Sequence, residues 1–135
     1  MNKSWDEVLQ RIRDIAFAEK FDTIVAIANG GTIPAALLQQ RLQVPLYLLK
    51  LSYRDARQQP MYDVPQLVEP LNFDAKGKTI LLVEDRVKTG ASLQRAVQLL
   101  SSAALVKTFA VNGNADYCLY NETCFVFPWK IIDNS

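Results

Sequence analysis

Two runs in this chain, TIVAIA (Thr23–Ala28) and TILLV (Thr79–Val83), are apolar at every or nearly every position and rich in β-branched residues. A strand with one wet face alternates apolar and polar side chains. A strand that is apolar on consecutive positions must be covered on both faces. PLYLLKL (Pro45–Leu51) and VKTFAVN (Val106–Asn112) predict two further strands, and TCFVFPWKI predicts a short fifth ended by Pro128. Helical patterns lie between the runs. SWDEVLQRIRDIAFA carries Trp5, Val8, Ile12 and Ile15 on one face, with Ser4 and Glu7 spaced as a capping box. TIPAALLQQRL reads as a helix with Thr32 as N-cap and Pro34 in its first turn. SLQRAVQLL sets Leu93, Ala96, Val97 and Leu100 at i, i+3, i+4 and i+7. Strands alternating with helices predict an α/β fold: a mainly parallel central sheet flanked by helices, joined by right-handed crossovers.

The chain has 135 residues, half of them hydrophobic, which predicts one domain over 1–135 with a sizeable core. Fifteen basic and 14 acidic residues leave a formal net charge of +1, so there is no electrostatic case for nucleic acid as a partner. No apolar run approaches the ~20 residues that span a bilayer. The N-terminal MNKSWDEVLQ lacks the apolar core of a signal peptide, and a cytoplasmic protein without a membrane partner is expected. The sequence contains no histidine. That excludes a Ser-His-Asp triad, a Cys-His pair and histidine-ligated zinc. Cys118 and Cys124 sit in apolar surroundings and read as reduced core thiols.

In open parallel sheets, ligands bind beyond the carboxyl ends of the strands, where strand order reverses. Three features are expected to gather there: the loop Asn29-Gly30-Gly31, the loop after Val83, and the end of the fourth strand at Asn112. Glu84 and Asp85 emerge together from a buried strand, a costly pairing unless hydroxyls, a cation or a metal ion meets it. The next residues, RVKTGAS, turn into a helix. Helix N-terminal amides, the hydroxyls of Thr89 and Ser92, and the bare Cα of Gly90 suit a phosphate. Carboxylates for a sugar beside a phosphate pocket suggest a sugar phosphate. The alternative is an ordinary strand–turn–helix junction with solvated charges.

ILLVEDRVKTGAS resembles the ribose-phosphate-binding signature of type I phosphoribosyltransferases: four apolar residues, two acids, a short variable run, then Thr-Gly and a hydroxyl residue. The resemblance extends over most of the chain. FDTIVAIANGGTIPAALL resembles the Gly-Gly pyrophosphate loop of small purine members. LSYRD resembles the base of their hood loop, and DYCLYNETCFVFPWKI resembles the C-terminus of xanthine, guanine or hypoxanthine enzymes. It implies transfer of the phosphoribosyl group of phosphoribosyl pyrophosphate to a nitrogenous base, a purine salvage reaction, with Mg²⁺ accompanying the donor and a homodimer as the usual state. Glu84 and Asp85 would then meet the ribose and the metal. Lys88, Thr89, Gly90, Ala91 and Ser92 would hold the 5′-phosphate, and Asn29, Gly30 and Gly31 would line the pyrophosphate site. Asn112, Phe127 and Trp129 would contact the base, and a flexible hood over 52–78, beginning with Ser52 and Tyr53, would close over the reaction. The resemblance also predicts a non-proline cis peptide at Ala28–Asn29.

The chain departs from the family pattern at three places. Asn29 stands where purine relatives carry Arg or Lys, Arg86 and Lys88 replace an apolar residue and a small or acidic one, and Asn112 stands where a Lys meets the base oxygen. Phe127 and Trp129 admit two readings, stacking on a base or packing the domain's edge. The altered pyrophosphate loop leaves a second function open, a non-catalytic domain that binds a phosphoribosyl ligand and regulates.

Overall fold

The apolar runs become the central strands of one sheet. The computed structural model describes residues 2–52, 66–68 and 70–131. The elements follow in the order α1 (Trp5–Asp14), β1 (Thr23–Ala28), α2 (Thr32–Leu42), β2 (Leu46–Ser52), β3 (Gln66–Leu67), β4 (Thr79–Arg86), α3 (Ala91–Leu99), β5 (Leu105–Asn112) and β6 (Tyr117–Tyr120). The strand order is β3-β2-β1-β4-β5-β6. All pairings are parallel except that of β3, which joins β2 antiparallel at the edge.

The period of two along a strand divides the core into two layers. Ile24 and Ala26 of β1 join Leu81 and Val83 of β4 on one face, under Val8 and Ile12 of α1 and Leu38 of α2. Val25 and Ile27 join Ile80 and Leu82 on the other, under Leu93 and Ala96 of α3 and the following Leu100. Ile24, Val25, Leu81 and Leu82 are fully buried, each worth about 1.5–3 kcal/mol of apolar burial. The absence of a polar alternation in TIVAIA and TILLV therefore has a direct cause: helices cover both faces.

Several local expectations are corrected. α1 stops at Asp14, because Ile15 adopts extended backbone, and Trp5 stays 43% exposed. Ser4 accepts from the Glu7 amide at 3.1 Å, but the Glu7 carboxylate takes the Tyr120 hydroxyl instead of completing the capping box. Gly31, not Thr32, is the N-cap of α2. The fifth parallel strand is YCLY, not TCFVF. The residues after it form no strand: Phe125 and Phe127 are buried, Cys124 and Val126 exposed. Cys124 is thus an exposed free thiol and Cys118 a half-buried one, so the pair is not a core feature. Within 52–78, expected to be without structure, Gln66–Leu67 forms a short strand, and Phe73 stacks on Tyr47 at 4.7 Å. Tyr53 lies outside the described residues, and Ser52 closes β2. The Ala28–Asn29 peptide is cis, as the resemblance predicts.

The β1–α2 turn leaves no room for a side chain at Gly31. A Cβ there would stand 2.3 Å from the Val83 carbonyl oxygen and 2.9 Å from that of Ile27. Both are backbone atoms of central strands. Gly31→Ala is expected to lower unfolding free energy by about 1–3 kcal/mol in urea titrations; an unchanged midpoint would show that the turn yields freely.

Candidate active site

β1 is flanked by β2 on one side and β4 on the other, so strand order reverses between β1 and β4. The register pairs Ala26 with Val83. The two carboxyl ends therefore deliver Asn29-Gly30-Gly31 and Glu84-Asp85 to one crevice. The approach is close: a Cβ on Gly30 would lie 2.6 Å from Asp85 Oδ1. A side chain at Gly30 would have to push that carboxylate aside.

Successive residues of a strand point to opposite sides, and the two acids line different cavities. Glu84 borders one of about 450 Å³, together with Lys88, Thr89, Gly90, Ala91 and Ser92. Asp85 borders another of about 570 Å³ with Asn29, Gly30, Ile33, Phe127 and Trp129. Arg86, the next residue, lines both.

The first cavity sits at the start of α3. Gly90, at φ 85°, is its N-cap, and the Ala91 amide donates to Thr89 Oγ1 at 3.3 Å. First-turn amides have no partner inside a helix and, with the helix dipole, favour an anion. Lys88 and Thr89 are exposed at its mouth. Glu84 is held inside the cavity wall. Burial, and next its side-chain hydrogen bond with Asp85, push its carboxyl from 4.5 up to about 8, against the lowering effect of the Asp85 amide, which donates to Glu84 Oε1 at 2.9 Å. The Arg86 amide donates to Asp85 Oδ1 at 2.6 Å. Backbone donors thus fix both carboxyl groups before any ligand arrives.

The second cavity is walled by aromatics. Phe127 is buried and stacks on Trp129, with centroids 5.0 Å apart and planes at 13°. Trp5 lies against Trp129 at 5.8 Å, and Phe125 meets Phe127 edge-on. Arg86 was noted in the sequence as a departure, without a place in the site. It lies over the Phe127 ring at 4.7 Å and donates from a terminal nitrogen to the Phe125 carbonyl at 2.7 Å. Inward Phe125, Phe127 and Trp129 at alternate positions were the available signal for this wall.

Asn112 is not brought into either cavity. It is buried, its amide donates to the Glu122 carbonyl at 3.1 Å, and its Oδ1 accepts from the Glu122 amide at 3.0 Å. Its backbone carbonyl takes the Val87 amide at 2.9 Å. These bonds fasten the segment after β6 to β5.

Among the described residues, no group of three or more His, Cys, Asp or Glu side chains is placed to cage a metal ion. Two adjacent carboxyl groups are a hard oxygen donor set. They suit Mg²⁺, which keeps several waters and is commonly bound through one or two carboxylates plus substrate phosphates.

Residues 4–114 match the phosphoribosyl transferase domain family. The chain belongs to the phosphoribosyltransferase family. Among its curated relatives are the xanthine-guanine phosphoribosyltransferases of Idiomarina loihiensis, 26% identical over 95% of this chain and 85% of that one, and of Chromohalobacter salexigens, 32% identical over 95% and 82%. Among solved structures, the purine phosphoribosyltransferase of Pyrococcus horikoshii superposes with a TM-score of 0.82 at 25% identity, covering 98% of this chain and 95% of that one. The fold of this phosphoribosyltransferase thus agrees with that of a whole relative.

The raised carboxyl of Glu84 carries a pH signature. Between about 4.5 and about 8 the folded chain holds a proton that the unfolded chain has released. The stability this supplies is full below about 4.5 and is lost as pH rises through about 8. Glu84→Gln keeps the shape and removes the titration. Its melting temperature is expected to exceed the parent's by roughly 3–6 °C near about pH 9, with the gap closing toward about pH 5. Parallel melting curves at both ends would show that Glu84 is hydrated and ordinary.

Proposed function

We propose that this phosphoribosyltransferase moves the phosphoribosyl group of phosphoribosyl pyrophosphate to a purine base and releases pyrophosphate. One observation carries the reading: a glycine loop, a carboxyl pair and a helix N-terminus meet at the sheet's switch point, beside an aromatic cavity. In this reading the amides of Gly90, Ala91 and Ser92 and the Thr89 hydroxyl hold the 5′-phosphate. Asp85 accepts hydrogen bonds from the ribose hydroxyls, and Glu84, protonated near neutral pH, can donate as well as accept. The backbone of Asn29, Gly30 and Gly31 faces the pyrophosphate, and Phe127 and Trp129 form the wall along which the base lies. Mg²⁺, arriving with the donor, supplies neutralisation of the diphosphate charge, and Glu84 and Asp85 are the residues that would touch it. The base nitrogen attacks the anomeric carbon as the bond to pyrophosphate breaks, with positive charge growing on the ribose ring, and the proton the base gives up passes to the departing pyrophosphate. The chain contributes by fixing both reactants and by placing carboxyl oxygens near that charge, so no histidine is required. A cytoplasmic location and a homodimer are part of this reading; the homodimer rests on the resemblance alone.

Asn29, neutral where relatives carry a cation, favours a second reading in which the same site binds a phosphoribosyl ligand for regulation. One assay separates them. Incubation with Mg²⁺, phosphoribosyl pyrophosphate and guanine, xanthine, hypoxanthine or adenine should release pyrophosphate with at least one base. Tight donor binding without release from any base would assign the chain to regulation.

Asp85→Asn removes charge from a carboxylate that accepts from ribose, about 1–2 kcal/mol, so calorimetry should show donor affinity falling roughly 5- to 30-fold with the fold intact. Equal affinity would take Asp85 out of the site. Lys88→Ala should weaken donor binding at low salt by roughly 2- to 10-fold, an effect that fades as salt screens the exposed ammonium. An unaltered dissociation constant at low salt would leave Lys88 as solvated surface charge.

A further inference from the structure

Arg86 and Asn112, where the chain departs from the family pattern, are partners in the sheet: the register of β4 and β5 sets one beside the other at the carboxyl edge. Both side chains reach the same stretch of chain. Arg86 donates from a terminal nitrogen to the Phe125 carbonyl at 2.7 Å and lies over the Phe127 ring at 4.7 Å, with its Nε closed off from solvent. Asn112 is buried; its amide donates to the Glu122 carbonyl at 3.1 Å, and its Oδ1 accepts from the Glu122 amide at 3.0 Å. That stretch, 121–127, belongs to no helix or strand, so no ladder sets its position. Burial of Phe125 and Phe127 draws it onto the core, but apolar burial has no direction. Hydrogen bonds from adjacent strand ends do have one, and they fix where the stretch crosses the edge of the sheet. Phe127 and Trp129, stacked on each other, then form the wall of the aromatic cavity.

We infer that Arg86 and Asn112 are positioning residues that work as one clamp, holding the wall of Phe127 and Trp129 across the cavity from Asp85 and Gly30 and so presetting the gap that receives the base. This rests on the phosphoribosyl-transfer reading, because that reading lays the base along the wall. Neither side chain needs to touch the base. Both amide atoms of Asn112 are committed to Glu122, and Arg86 acts through the Phe125 carbonyl and the Phe127 ring. A wall already in place spares the base the cost of ordering it on binding. Replacing the Arg86 side chain leaves its backbone amide to hold Asp85, so the clamp can be loosened without removing the donor on that carboxylate.

Hydrogen–deuterium exchange read by mass spectrometry, without substrate, tests the clamp itself. In Arg86→Leu and in Asn112→Ala, exchange should rise roughly 10-fold or more over 121–130 while the interiors of β4 and β5 keep their protection. Steady-state kinetics with phosphoribosyl pyrophosphate and Mg²⁺ test its purpose. In both variants KM should rise roughly 5- to 50-fold, and alike for every base that the parent accepts, while kcat at saturating base and donor affinity by calorimetry stay within about threefold of the parent. The double variant should lose less than the product of the two single losses, because one loosened clamp already frees the wall. Arg86→Lys, which can still donate to the Phe125 carbonyl, should recover part of the loss and guards against misfolding of the leucine variant. Unchanged exchange over 121–130, or exchange that rises equally through β4 and β5, would overturn the inference. So would donor affinity falling as far as base affinity, which would put Arg86 at the phosphate, or a loss confined to one base, which would mean direct contact. A parent that releases no pyrophosphate from any base would instead overturn the transfer reading and the purpose built on it; the exchange measurement, needing no substrate, tells that failure from failure of the clamp.

Discussion

Everything in this site depends on a conflict at the end of β4, where a strand buried on both faces runs without a break into two carboxyl groups. Ile80, Leu81, Leu82 and Val83 are fully buried, and the sheet register holds the next residues in line with them. Glu84 leaves the strand half-buried, its Oε1 held by the Asp85 amide. Its carboxyl is therefore desolvated and held near 8, poised to exchange a proton or meet a ligand. Asp85, one residue on, lies against Gly30, where a side chain would displace its carboxylate. The packing that stabilises the domain is also what keeps the acids in place before a substrate binds.

Strand alternation then distributes the chemistry. Glu84 faces the cavity at the start of α3, and Asp85 faces the aromatic one. A sugar that spans the strand end would place its phosphate on one side and its base on the other. Arg86 stands between them, supported by Phe127. The aromatic wall reaches back to α1 through Trp129 and Trp5, so the N-terminal helix and the C-terminal segment brace the same cavity.

The central strands and α2 were legible in the sequence because their causes are local. TIVAIA and TILLV lack polar alternation, and TIPAALLQQRL has the length and composition of a helix. The loops that meet at the switch point were legible through the Glu84-Asp85 and Thr89-Gly90 pattern. What escaped was tertiary. Asn112 carries a useful amide, but nothing local reveals that Glu122 will claim it. Apolar neighbours suggested a buried Cys124, whereas Phe125 and Phe127 take the inward positions and leave it exposed. Arg86 looked like a departure from a pattern until the Phe125-to-Trp129 segment folded over it. In each case the deciding contact joins residues distant in sequence, which no window of pattern can register.

A crystal structure with a phosphoribosyl ligand and Mg²⁺ tests the central claim most directly. The account predicts one ligand across the end of β4. Its 5′-phosphate rests on the amides from Gly90 to Ser92, and its ribose hydroxyls lie within hydrogen-bond distance of Glu84 and Asp85. A ligand bound elsewhere, or seated here with its ribose turned away from both carboxyl groups, would contradict it.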